Sequence, residues 1–153
     1  MIQISEITPD VELAGALQGQ ISVGLPGGDT ALVTVYSDWE RPTNNLPDDF
    51  IVCYINGDVS GVGMDTPFAK GDMMVNLYCR LNDDGSVKKN RVKKLLAQLD
   101  SLIEKKSTEH FYFYYDADRF ITPTTPNQTS GYSVTSLNVR WNTNSNFNKP
   151  ITP

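Results

Sequence analysis

Between Gly71 and Tyr115 the chain places a strand, a turn, an amphipathic helix and an aromatic strand in unbroken succession, which restricts it to folds with a helix lying on a sheet. Met73, Val75, Leu77, Cys79 and Leu81 alternate with Met74, Asn76, Tyr78 and Arg80, the period of a half-buried strand. Asn82-Asp83-Asp84-Gly85 supplies turn chemistry and Ser86 an N-cap. Val92, Leu95, Leu96, Leu99, Leu102 and Ile103 then recur at spacings of three and four, which predicts one long amphipathic helix over about 87–105. Phe111 to Tyr115 follows as a β-prone run.

On either side of this frame the signals are shorter. Thr8-Pro9 followed by Asp10 and Glu12 reads as the start of a short N-terminal helix reaching about Gln18. The glycines of Gly24 to Gly28 mark a turn, and Ala31 to Tyr36 alternates as a strand. Residues 37–48 are polar, with two prolines, and read as an arm-like loop carrying Trp39, Arg41 and Asn44, residue types suited to contacts. Phe50 to Ile55 is apolar on both faces, which fits a strand covered on both sides or covered on one by a neighbouring subunit. Asn56-Gly57 has the chemistry of a tight turn, and residues 59–70 read as a connection. Residues 116–131 read as a second arm, Tyr132 to Trp141 as a strand, and 142–153 as a polar tail. The expected fold is α+β: a single domain over 1–141, with a mainly antiparallel sheet of about four to five strands, the long helix packed on it and the short N-terminal helix beside it.

A chain of 153 residues has room for one core. No apolar run approaches the ~20 residues of a membrane-spanning helix, and Met1 to Asp10 lacks the basic start and apolar core of a secretory signal, so no membrane is expected. Cys53 and Cys79 both fall on apolar strand faces and read as reduced core thiols that could be neighbours in the sheet, and the Asn127-Gln128-Thr129 triplet reads as a chance glycosylation match. Charge is uneven: residues 1–72 hold eleven acids and two bases, residues 73–153 seven acids and eleven bases. Five cations, Lys88, Lys89, Arg91, Lys93 and Lys94, crowd the start of the long helix, where its dipole opposes them.

Motifs for chemistry are sparse. His110 has no nucleophile elbow to serve, two cysteines and one histidine make no zinc pattern, and the glycine clusters miss the phosphate-binding fingerprints. The pairs Asp48-Asp49 and Asp83-Asp84 stand at turns, where Asp serves the backbone. The chain is expected to be non-enzymatic, without cofactor or metal and without sequence-specific nucleic-acid contacts.

The order of elements, with Tyr36-Ser-Asp-Trp-Glu-Arg41-Pro42-Thr-Asn44, Asp48-Asp-Phe-Ile-Val52, Gly71-Asp-Met-Met-Val-Asn76-Leu-Tyr78 and the helix from Arg91 to Ile103, resembles the tail-terminator and tail-completion proteins of long-tailed bacteriophages, in particular the small head-tail joining proteins of Bacteroidetes phages. The resemblance covers residues 8–141. It implies a structural virion protein, made in the host cytoplasm, that forms a commonly six-fold ring at the neck, caps the tail tube protein and meets head-side connector proteins, with the genome passing through. Subunit or partner contacts are then expected at Trp39, Arg41, Asn44, Lys88, Lys89, Arg91, Lys93, Lys94, Arg119, Phe120 and Phe147. Two other readings stay open: a tail-tube or minor capsid component, and a small-ligand binder or enzyme centred on Asp116, Asp118 and Arg119.

Overall fold

The computed structural model describes residues 8–38, 40–61, 69–115 and 121–144. In order, it contains α1 (Pro9–Leu17), β1 (Ser22–Gly24), β2 (Thr30–Leu32), β3 (Thr34–Ser37), β4 (Asp49–Gly61), β5 (Ala69–Arg80), α2 (Lys89–Ile103), β6 (Lys106–Ser107), β7 (Phe111–Tyr114), β8 (Ile121–Asn127) and β9 (Tyr132–Thr143). β1 and β2 form a separate hairpin, and the other seven strands form one curled sheet ordered β3-β4-β5-β9-β7-β6, with β8 also paired to β9.

This corrects the expected fold. Strands make up 45% of the protein, the sheet is mixed rather than a four- to five-stranded antiparallel one, and two helices share its face. Three local causes account for the difference. Asn56-Gly57 is not a turn: β4 runs through it to Gly61, and an irregular register between Asn56 and Ser60 absorbs the weak strand formers. The stretch read as an arm holds β8, whose prolines are tolerated because β8 is bonded to β9 on one side only. β3 pairs with β4 in parallel, Val35 opposite Ile51, an association that carries no local sequence signal.

Smaller boundaries shift for equally physical reasons. Ser86 does not cap α2, because its hydroxyl is held by Asp84 and Asn82 in the preceding turn, and Lys88 takes the cap position. The amide side chain of Asn127 accepts from the Thr129 and Ser130 amides, so this residue builds the turn between β8 and β9. Residues 142 and 143, expected in the tail, complete β9. The rest of the tail, 145–153, lies outside the described residues.

The helix-bearing face of the sheet is the core. Ile51 and Cys53 of β4, Met73, Val75 and Leu77 of β5, Leu137, Val139 and Trp141 of β9, and Phe111 and Phe113 of β7 all lie on it, at most 1% exposed. α2 packs over β5 through Val92, Leu95, Leu99 and Ile103, one stripe of the helix. α1 packs on β3 and β4 through Leu13 and Leu17. Its Glu12 reaches the opposite end of the sheet: Oε1 accepts from the Thr108 hydroxyl at 2.6 Å and the His110 amide at 2.7 Å, and Oε2 lies 2.9 Å from His110 Nδ1. His110 therefore helps fasten the β6–β7 turn to α1.

Two glutamines tie in the remaining backbone. Gln98 of α2 accepts from the Ser22 amide at 3.0 Å and donates to the Ser22 carbonyl at 2.9 Å, acting on β1 as a neighbouring strand would. Gln18 accepts from the Val35 amide at 2.8 Å. Cys53 and Cys79 are buried and free; they stand on one strand each of the β4–β5 pair but are not opposite one another, since Cys53 faces Val75 and Cys79 faces Asp49.

Gly71 lies opposite Trp141, and a Cβ there would stand 2.9 Å from the indole Cζ2 and 3.0 Å from Cε2. The buried indole has no room to retreat, so Gly71→Ala is expected to lower stability by about 1–3 kcal/mol, read as a reduced urea midpoint at an unchanged slope. An unaltered midpoint would show that the indole is not held over the glycine.

Candidate interaction surface

The second face of the sheet carries no helix among the described residues, and four of its aromatic residues cluster at one end. Phe50 and Tyr78, opposite one another on β4 and β5, stack with centroids 4.6 Å apart and planes 5° apart. Tyr132 meets both edge-on, at 5.3 Å from Phe50 and 6.5 Å from Tyr78, and Tyr36 stands edge-on to Phe50. These are the offset and T-shaped arrangements that aromatic quadrupoles favour. Phe50, Val52 and Tyr132 are buried, while Tyr36, Tyr78 and Leu46 remain partly open. The two-sided apolar pattern of Phe50 to Ile55 thus has its cause within the chain.

The parallel β3–β4 pair makes this site. After Ser37 the chain must return along the strand before β4 can begin, and the crossover 38–48 passes over the open face. Its exit is firmly tied. Arg80 Nε donates to Asp48 at 2.7 Å, Arg80 Nη2 donates to the Tyr132 hydroxyl at 3.0 Å, and that hydroxyl donates to the Pro47 carbonyl at 2.7 Å. The Arg80 guanidinium also lies 4.8 Å from the Tyr132 ring centroid, a cation–π distance. The Asp48 hydrogen bond pushes the Arg80 pKa up, and burial raises that of the Tyr132 phenol.

Between the crossover and the sheet lies a cleft of about 700 Å³, lined by Arg41, Thr43, Leu46, Tyr78, Ser130 and Tyr132 among others. Arg41 thus lines this cleft, its guanidinium 3.8 Å from Asp38. Asn44 is exposed on the same crossover. Trp39 lies outside the described residues, as do Asp116, Asp118, Arg119, Phe120 and Phe147.

The five helix cations separate by role. Arg91 turns inward and holds the buried Asp49 carboxylate with both Nε and Nη2. Lys89, Lys93 and Lys94 are exposed and Lys88 is half-buried. Lys94 and Arg91 line a smaller groove of about 320 Å³ between α2 and β1. Asp48 and Asp49, read from sequence as structural carboxylates, are engaged by Arg80 and Arg91. Among the described residues, no group of three or more His, Cys, Asp or Glu side chains is placed to hold a metal ion.

Sequence reasoning singled out Arg41, which lines the cleft, and missed the Phe50, Tyr78 and Tyr132 cluster. Its only signal was Phe50, Val52 and Tyr54 on the second face of β4, and Tyr132 comes to it from the far end of the chain. With this geometry in hand, comparison with known proteins adds no assignment: the chain matches no protein-family model and no curated protein.

Removing Arg91 leaves Asp49 charged and buried, so Arg91→Ala is expected to destabilise the fold by about 3–5 kcal/mol, whereas Lys93→Ala at an exposed site changes it by less than about 0.5 kcal/mol. Equal midpoints for the two variants would rule out the buried pair as a structural tie. Burial, reinforced by Asp49, pushes the Cys79 thiol up to about 12, and burial followed by Asp10 raises that of Cys53. Neither thiol is expected to react with a disulfide reagent at pH 8 until denaturant is added; rapid native labelling would contradict the burial.

Proposed function

We propose that the chain is a structural virion protein that assembles into a ring at the head–tail junction of a tailed phage, terminating the tail tube and docking it to the head. The observation that carries the assembly reading is the outer edge of β4. β3 covers only Phe50 to Cys53, whereas β4 continues to Gly61, so Tyr54 to Gly61 has no strand on its outer side among the described residues. An unpaired edge of this length is a template for another copy. Joined to a different surface of the next copy, it makes a heterologous contact, the type that closes into rings.

Charge supports the same reading. Lys89, Lys93 and Lys94 are exposed on the helix-bearing side, while Asp38, Glu40 and Asp48 are exposed along the crossover on the other, where they outnumber the two arginines beside them, Arg41 and Arg80. Opposed patches of this kind steer one copy onto the next. The position at the neck is taken from the resemblance of the element order and of the segments around Tyr36 to Asn44 and Gly71 to Tyr78.

The test is native mass across a wide concentration range with negative-stain imaging, repeated with purified tail tubes. A closed ring of one copy number that arrests tube growth is expected. Monomers throughout, with and without tubes, would overturn the reading, and so would particles that elongate without limit. Asn56→Lys, which adds a charge at the exposed edge, is expected to shift the population toward monomers while leaving the melting temperature within about 2 °C.

A further inference from the structure

We propose that the tip of the β1–β2 hairpin of one copy, Leu25 to Asp29, docks into the aromatic cleft of the next. The proposal deepens the ring reading, on which its repetition from copy to copy rests, by naming both surfaces of a subunit contact.

The tip is a preformed knob. The Leu25 amide donates to the Asp29 carbonyl at 2.7 Å and the Gly28 amide to the Leu25 carbonyl at 3.3 Å. Gly27 and Gly28 close the turn at φ values of 92° and 91°, which only glycine adopts without strain. Of the three large apolar side chains exposed among the described residues, Leu25 and Leu32 belong to this hairpin, and Pro26 is exposed beside Leu25. A turn already held by its own hydrogen bonds loses little freedom on docking.

The cleft has the complementary chemistry. Leu46 and Tyr78 are partly open on its walls, with Tyr132 beside them, and proline rings pack well on such aromatic surface. Its volume of about 700 Å³ lies within the range of about 300–1,000 Å³ usual for ligand sites. Asp29 is the only charged residue between Gly19 and Ser37, and the cleft presents Arg41 to it. The 3.8 Å approach of Arg41 to Asp38 is too long for a hydrogen bond, so among the described residues its donors remain available.

Charge also fixes the direction of approach. The hairpin lies against the start of α2, where Gly24, the residue before the tip, shares the groove of about 320 Å³ with Asn90, Arg91 and Lys94. A tip entering a cleft therefore brings Lys94, with Lys89 and Lys93 of the same helix, toward the crossover that bounds the cleft, where Asp38, Glu40 and Asp48 are exposed. Asp29 with Arg41 and Lys94 with Asp38 are then opposite in sign at two separate points of one contact.

The hairpin and the cleft of a single copy cannot meet. Gln98 of α2 holds Ser22 by two hydrogen bonds and Val23 packs against the core, so the hairpin stays on the helix-bearing side, whereas the cleft opens on the other face of the sheet. A contact between opposite faces of successive copies is heterologous, the kind that makes a ring when its rotation closes.

The test mixes two full-length chains, one carrying Thr30→Cys at the base of the tip and the other Thr43→Cys on the crossover; the buried Cys53 and Cys79 stay silent. A short bis-maleimide is expected to join the two variants to each other and neither to itself. Leu25→Asp on the tip chain, an exposed change expected to leave the melting temperature within about 2 °C, is expected to raise the concentration for half-maximal joining at least about tenfold, equivalent to about 1.4 kcal/mol. Asp29→Arg on the tip chain or Arg41→Asp on the cleft chain is expected to raise it about fivefold, and the two together to restore it to within about twofold, a recovery that damage to either fold does not produce. No mixed product, equal joining of like variants, or a double exchange no better than the single changes would each overturn the proposal. Rings that survive Leu25→Asp unchanged would remove the docking and leave the ring on the β4 edge; mixed joining in a chain that never closes would keep the docking and remove the ring.

Discussion

A parallel strand pair cannot be closed by a tight turn, and much of this structure follows from β3 and β4 being parallel. The chain leaves Ser37 beside Cys53 and must re-enter beside Thr34, the far end of the pair. The helix-bearing face is already filled, so the crossover takes the other face. There it puts Leu46 against the aromatic cluster around Phe50 and delivers Asp48 to Arg80 and Asp49 to Arg91. Two adjacent carboxylates thereby anchor the same crossover to both sides of the sheet. Replacing either arginine would leave one anchor, and the buried Asp49 makes the Arg91 anchor the more consequential.

The other constraint is the curl of the sheet around its helices. α1 contacts β3 and β4 at one end of the strand order, while its Glu12 engages Thr108 and His110 beside β6 and β7 at the other. One side chain thus bridges strands that never pair. β1 and β2 form no part of the main sheet, and the Gln98 amide of α2 satisfies the Ser22 backbone where another strand would. Buried backbone groups require partners of some kind, and here side-chain amides provide them.

Periodicity alone revealed β5, the apolar stripe of α2 and the aromatic β7, since each buries one face of a regular element. The two-faced β4 was legible as well, although its second cover came from Leu46, Tyr36, Tyr78 and Tyr132 of the same chain. Illegible features fall into three physical kinds. Asn56-Gly57 and the proline-bearing β8 contradict local propensity, and tertiary pairing overrides it through an irregular register in one case and an edge position in the other. The β3–β4 pairing and the cleft depend on contacts far apart in sequence, such as Tyr132 with Pro47, that no window of residues contains. Ser86 failed as a cap for a third reason: the turn before it competes for the same hydroxyl.

In the proposed ring the edge of β4 does not suffice alone. Strand pairing through an open edge uses backbone groups that are the same at every residue, so it adheres strongly and fixes register weakly. A slip of one residue would still be bonded, and an assembly held by edges alone would accept errors or grow into a fibre. Charge adds a condition on approach, because Lys89, Lys93 and Lys94 of α2 favour a neighbour that presents Asp38, Glu40 and Asp48 of its crossover. A chain whose edge is unpaired among the described residues needs such a restriction in order to form a closed object, and in this fold the crossover that the parallel pair demands carries the acids that supply it.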